Sequence, residues 1–178
     1  MATNDYAIVE ISSGGEQTNN AANQSVVSTY AMENGFIFAL DTLSNVAGNG
    51  AVFVATTPAT GNLSNLSMLV EPPVSKIAGR KGLSKDPREF RLEIAEVGSA
   101  KQLEVGDIVK LSATAVTGTA AAYLVATNAS NVLNYSASVI SGLTLKVIDA
   151  SDYFSLADGA AIGTQRVAAI KAKVVAVA

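Results

Sequence analysis

Residues 90–113 read FRLEIAEVGSAKQLEVGDIVKLSA and carry the clearest structural signal in the chain. From Phe90 to Glu96, apolar residues alternate with charged ones, and this period of two predicts a half-buried strand. The Gly106-Asp107 pair then predicts a bulge or tight turn that leads into a second strand, IVKL. This stretch therefore favours a mainly β fold.

Short β-branched and apolar runs on both sides of this stretch support the same fold class. They predict further strands at YAIVEI (6–11), FIFAL (36–40), AVFVAT (51–56), LSMLV (66–70), YLVAT (123–127), ASVIS (137–141), LTLKVID (143–149) and RVAAIKAKVVAV (166–177). Residues 149–159, DASDYFSLADG, are predicted to be a turn-rich connection. We expect a β-barrel or β-sandwich with long loops and an extended N-terminal arm.

Composition divides the chain into four segments. Residues 1–25 are largely polar and Gly/Asn-rich, and are expected to form the arm. An N-terminal β region follows at 26–75, and residues 76–89 form a basic loop that contains proline and glycine. Residues 90–178 are expected to be a C-terminal, barrel-like β region, either separate from 26–75 or part of one domain with it.

Charge is distributed unevenly along the chain. No Lys or Arg precedes Lys76, whereas residues 76–91 hold six of the twelve basic residues. This cluster could dock on an acidic surface of a partner subunit, contact nucleic-acid phosphates, or be a solvated loop. The acidic pI of about 4.9 argues against a nucleic-acid partner.

Residues 111–145 contain no charged side chain, although they are rich in Ser, Thr, Asn and Ala. Part of this stretch is expected to be a surface between subunits. The alternative is a β region that the rest of its own domain covers.

The residue inventory excludes several kinds of active site. The chain has no Cys and no His, so it cannot build a Ser–His–Asp triad, a cysteine nucleophile or a zinc site with Cys or His ligands. No spacing indicates carboxylate chemistry, a phosphate loop or a calcium loop. We therefore expect no enzymatic activity, no cofactor, no metal and no small-molecule substrate. The N-terminus lacks the features of a signal peptide, and no apolar run is long enough to span a membrane, so synthesis in a cytoplasm without membrane association is expected.

Three features of the chain belong together: a composition rich in small residues, the acidic N-terminal stretch NDYAIVEISSGGEQTNNAANQS (4–25), and the barrel-like stretch REFRLEIAEVGSAKQLEVGDIVKLSA (88–113). In these features the chain resembles virion proteins of tailed bacteriophages. Among these, the chain is most similar to capsid decoration proteins, also called cement or auxiliary proteins. The resemblance covers overall texture and rests on no diagnostic motif.

The resemblance implies a non-enzymatic structural protein, made in the cytoplasm of the host bacterium, that binds the outer surface of a capsid and clamps neighbouring major capsid subunits. It also implies copies of itself as partners, as a trimer or another homo-oligomer. The alternative is a head-fibre base, a tail accessory protein or a carbohydrate-binding β-module of a phage particle. The residues expected to contact partners are Asp5, Tyr6, Lys76, Arg80, Lys81, Lys85 and Arg88.

Overall fold

A computed structural model describes residues 6–12, 23–45, 51–70, 88, 90–157 and 164–178. These residues form twelve β-strands and a short 3-10 helix at Ala113–Ala115. The strands are β1 Val9–Ser12, β2 Asn23–Val27, β3 Ile37–Leu43, β4 Val52–Thr56, β5 Ser67–Leu69, β6 Val97–Gln102, β7 Ile108–Ser112, β8 Val116–Thr117, β9 Tyr123–Val125, β10 Leu133–Ser136, β11 Thr144–Ala157 and β12 Thr164–Ala176. The prediction of a mainly β fold with a barrel is confirmed.

Five strands close into a barrel in the order β2-β4-β3-β5-β6, and β6 pairs with β2 to complete it. Strand β3 is apolar on both of its faces. Phe38 points into the barrel interior, whereas Ile37 and Ala39 point outward into a second hydrophobic core. The buried residues of the interior are Val26, Met32, Phe38, Ala55, Leu69, Phe90, Leu92 and Ala100.

The other seven strands form a sheet in the order β1-β7-β12-β11-β9-β10-β8. Strand β1 pairs antiparallel with β7, so the first strand of the chain joins the C-terminal sheet and not the barrel that follows it. Strands β11 and β12 form a long hairpin with register shifts at Asp149. Residues 149–157 were predicted to be a turn-rich connection; they are instead the second half of β11, because these shifts let the strand continue past the polar residues.

The second hydrophobic core lies between the barrel and the sheet, and both units contribute residues to it. Ile37 and Met68 of the barrel belong to the same buried cluster as Leu111 and Ile170 of the sheet. Asn131, in the loop between β9 and β10, also joins the two units, since its main-chain oxygen accepts the Ile37 N–H at 2.8 Å and its side-chain amide donates to the Ile37 oxygen at 2.9 Å. Asn131 thereby bonds Ile37 much as a neighbouring strand would.

A buried ion pair lies where the barrel passes into the sheet. The Nζ of Lys101, on β6, is 3.2 Å from Oδ2 of Asp107, and both side chains are less than 10% exposed. The same carboxylate oxygen accepts the Glu104 N–H at 3.1 Å. The Gly106-Asp107 prediction is confirmed, because Gly106 has a φ of +105° in the turn before β7.

The strand order differs from the expected segments in two respects. The closed barrel is built from strands within 23–102, and the open sheet consists of β1 and the six strands β7 to β12. Residues 6–12 and 23–25 do not form an arm, because β1 and its flanking Ala7 and Ile8 are buried in the sheet and Asn23–Val27 is a barrel strand. Residues 1–5 and 13–22, and the basic loop apart from Arg88, lie outside the described residues.

Residues 90–96 were predicted to be a strand, and this is wrong. The segment is extended and forms a single bridge between Leu92 and Met32, then turns at Ala95, whose φ is +63°. Phe90 and Leu92 alternate with charged residues because they fill the barrel interior. Ile94 follows the same period but is 62% exposed.

Candidate functional interface

Two of the predicted partner-contacting residues lie within the described structure, and they meet. The Tyr6 N–H donates to the main-chain oxygen of Arg88 at 3.0 Å. The guanidinium of Arg91 lies 5.7 Å from the centre of the Tyr6 ring, and a hydrogen bond to Tyr6 is the main reason that the pKa of Arg91 is raised. Asp5, Lys76, Arg80, Lys81 and Lys85 lie outside the described residues.

A second group of cations occupies the outer face of the seven-stranded sheet. In β12, Ile170, Ala172 and Val174 are buried in the shared core, so Lys171 and Lys173 between them project from the opposite side. The strand pairing places Lys110 of β7 and Lys146 of β11 beside them. We call this surface the lysine face; it comprises Lys110, Lys146, Lys171 and Lys173.

The register places lysines of neighbouring strands directly opposite each other. Lys110 pairs with Lys171, and Lys146 pairs with Lys173. Two like charges in such a position repel and weaken the sheet. This repulsion is a cost for any such pair whose charge is not balanced by a nearby carboxylate.

Acidic residues flank only the first of these two pairs. Across the strands, Lys110 also pairs with Glu10, and Lys171 also pairs with Asp149. The pKa of Asp149 is lowered, mainly because its carboxylate accepts hydrogen bonds from the main-chain N–H and the hydroxyl of Ser151, with a smaller effect of Lys171. This carboxylate is therefore held in its charged form.

The second pair has no acidic residue in register on either side. Lys173 pairs with Ile108 on its other side, and Lys146 pairs with Tyr123. Both lysines are exposed. A carboxylate from another molecule could approach both ammonium groups at once, which would relieve their repulsion.

A cleft with both polar and apolar walls adjoins the lysine face. It has a volume of about 350 Å³ and lies between β1 and the part of the β11–β12 hairpin nearest the turn, residues 149–157 and 164–169. We call this part the far half of the hairpin. Ile8, Phe154 and Leu156 supply its apolar walls, and Glu10 and Lys110 supply charge. The Nζ of Lys110 is 3.4 Å from Oδ1 of Asp152 and 4.8 Å from the centre of the Phe154 ring. We call this site the hairpin cleft.

The far half of the hairpin extends past its neighbours in the sheet. In the described pairing, β7 accompanies β12 only as far as Ala169, and β9 accompanies β11 only over Thr144–Lys146. On the face of the hairpin opposite Phe154, the guanidinium of Arg166 stacks 4.3 Å from the centre of the Tyr153 ring. The extension therefore offers one face to the cleft and a cation–aromatic pair on the other.

The uncharged stretch 111–145 is partly core and partly surface. Its leucines, such as Leu124 and Leu133, are fully buried, whereas residues 117–120 and 137–139 are exposed. Asn134 connects the surface loops: its Oδ1 accepts from the Thr117 hydroxyl at 2.6 Å, and its amide donates to Thr127 at 2.9 Å. Whether these loops contact another subunit remains a prediction.

Sequence reasoning placed the partner-binding charges at 76–91 and missed the lysine face. Each of its lysines stands alone between apolar residues, as in IVKL, LTLKV and AIKAKVV. That alternation could have shown that each lysine lies on the outer side of its strand. Only the order β7-β12-β11 brings the four together, and no local pattern encodes it.

No protein-family model, curated protein or solved structure matches this chain. Within the described part of the chain, no helix has the length and apolar character needed to cross a membrane. The same residues contain no group of three or more side chains suited to hold a metal ion.

Proposed function

We propose that this chain is a non-enzymatic structural protein of a bacteriophage particle that binds the outer surface of the capsid and clamps neighbouring major capsid subunits. The observation that carries the proposal is the lysine face, with its two cross-strand lysine pairs. The resemblance to decoration proteins supplies the identity of the partner. Location on the virion and assembly with further copies of the chain belong to the same proposal.

The lysine face suits a broad protein partner. Its residues come from three adjacent strands, so they form one patch on the sheet surface. An acidic partner surface would offset the repulsion between Lys146 and Lys173, which have no acidic residue in register beside them. Such complementarity fixes orientation and accelerates association more than it raises affinity, and many copies on one shell would add their weak contacts through multivalency.

Binding to assembled capsids tests the proposal directly. The wild-type chain should cosediment with particles in a saturable, fixed ratio to the major capsid protein. The double variant Lys146→Glu/Lys173→Glu should bind at least about tenfold more weakly, because close interfacial charge pairs couple by about 1.5 kcal/mol or more. Arg91→Glu, at an exposed cation on the barrel side, changes the net charge as much as Lys173→Glu alone; it is the charge-matched control for that single variant and should bind like the wild type.

Two results would contradict the proposal. If the wild-type chain fails to bind capsids while a glycan screen gives a hit, the chain is a carbohydrate-binding module instead. If the double variant saturates capsids as the wild type does, the lysine face is not the interface. A parallel Lys76→Glu/Lys81→Glu variant would then show whether the basic segment 76–91 is the binding element.

A further inference from the structure

We infer that the hairpin cleft and the lysine face form one continuous site for an extended protein segment that carries an apolar anchor residue with carboxylates two and four positions away. This inference rests on the proposed function, because it specifies which part of the partner is bound. It commits to a protein segment as the occupant.

The apolar end of the site is the hairpin cleft. Ile8, Phe154 and Ala169 form a small buried cluster of their own, with Leu156 and Val167 packed against it. The cleft beside them is near the lower end of the range of about 300–1,000 Å³ usual for ligand pockets. A cleft of this size fits an apolar side chain, and anchor side chains in such pockets usually contribute most of the binding energy of an interface.

The charged end of the site follows from the register of β12. Ala169, Lys171 and Lys173 succeed each other on the outer side of this strand, and Ala169 belongs to the cluster beside the cleft. Alternate residues of a strand are about 6.6–6.8 Å apart, so the Cα atoms of Lys171 and Lys173 lie roughly 7 and 13 Å along the strand from that of Ala169. An extended segment lying along β12 would reach them with its second and fourth residues beyond the anchor.

Two observations favour a protein segment over a nucleic acid. Glu10, Asp149 and Asp152 lie among the four lysines and would repel a continuous phosphate backbone. A base would need an exposed aromatic ring to stack on, and Phe154 is only 3% exposed, whereas the walls from Ile8 and Leu156 suit an aliphatic side chain such as leucine.

Peptide binding to the intact protein tests the inference without any capsid. The probe is a fluorescent, serine-rich nonapeptide with a central leucine and glutamates two and four residues away on both sides. A second peptide replaces the leucine with serine. Fluorescence polarisation should show the leucine peptide binding at least about tenfold more tightly, as expected from burial of one apolar side chain.

Substitutions then assign the two ends of the site. Leu156→Glu should abolish the preference for the leucine peptide, whereas Ile94→Glu, at an exposed isoleucine on the barrel side, should leave it unchanged. Lys173→Glu, at an exposed lysine, should weaken the binding of both peptides and leaves the apolar cluster unchanged. Circular dichroism of each variant confirms that it is folded.

The inference is overturned if both peptides bind wild-type protein equally, if Leu156→Glu keeps the preference, or if an oligothymidylate of 20 nucleotides binds more tightly than the leucine peptide. The two proposals fail separately. Leucine preference without capsid binding would refute only the proposed function. Capsid binding that Leu156→Glu leaves intact, together with equal peptide affinities, would refute only the composite site.

Discussion

Gly142 shows at the scale of one residue how closely the barrel and the sheet approach each other. The N–H of Leu143 donates to the main-chain oxygen of Leu63 at 2.9 Å, which brings the backbone before β11 against the loop between β4 and β5. A Cβ on Gly142 would lie 2.6 Å from Cβ of Leu63 and 2.7 Å from its oxygen. Gly142 also has a φ of +95°.

Gly142→Ala should therefore lower the free energy of unfolding through two effects. Left-handed backbone strain costs about 1–2 kcal/mol, and the overlap with Leu63 adds about 1–3 kcal/mol. Gly106→Ala is the matched control, because Gly106 has a similar φ of +105° but no atom within 4 Å of its added Cβ. Urea denaturation should show the larger loss for Gly142→Ala; equal losses would mean that the contact with Leu63 is unimportant.

The sequence predicted individual strands well where β-branched and apolar runs were bounded by turn residues. It missed β6 at VGSAKQ, because Gly, Ser and Lys are poor strand formers and only pairing with both β2 and β5 holds them extended. It also ended β11 too early at Asp149, since bulges accommodate polar residues that would otherwise end a strand. These misses arise from tertiary pairing, which local propensity does not contain.

Removal of β1 tests the reassignment of the N-terminal segment at the scale of one strand. Deletion of residues 1–12 should lower the free energy of unfolding by several kcal/mol, because Ala7, Ile8 and Val9 lose buried positions worth about 1 kcal/mol or more each. The hydrogen bond from the Ile8 N–H to the Ser112 hydroxyl, 2.9 Å long, is lost as well. Deletion of residues 1–5 alone is the control; thermal denaturation of both variants that matches the wild type would contradict the role of β1.

Repulsion between Lys146 and Lys173 predicts that a substitution which weakens capsid binding will also stabilise the fold. Lys173→Glu places a carboxylate opposite Lys146 and should raise the free energy of unfolding by about 0.2–1 kcal/mol. The gain should shrink at 1 M salt, where the screening length is about 3 Å. Urea midpoints at low and high salt measure this; a destabilised Lys173→Glu protein would show that the two lysines do not repel each other.

At the scale of the whole molecule, the shared core makes one cooperative unit of the barrel and the sheet. Far-UV circular dichroism should report both units, whereas fluorescence of a single tryptophan substituted for Phe36, which packs partly buried against the barrel interior, should report the barrel. The two urea transitions should coincide, as expected for two-state unfolding. Separate midpoints would show that Ile37, Met68 and the sheet residues around them do not couple the units.

Composition predicts a boundary between two β regions at residues 76–89. The structure divides differently, because β1 precedes the barrel strands in the chain but belongs to the sheet. The sequence cannot reveal this, because β1 resembles any other short apolar strand and its partner β7 lies far along the chain. The same limit applies to the candidate interface. Its lysines come from three strands, and the hairpin cleft joins β1 to the hairpin.

The position of β1 also has a consequence for biosynthesis. The Ile8 N–H bonds to a side chain 104 residues later, and every barrel strand is translated in between. At about 5–20 residues per second, the ribosome needs roughly 5–20 s to supply that partner. The nascent chain must therefore keep an unpaired apolar strand from aggregating while the barrel emerges, so chaperone binding during translation should concentrate on the first dozen residues.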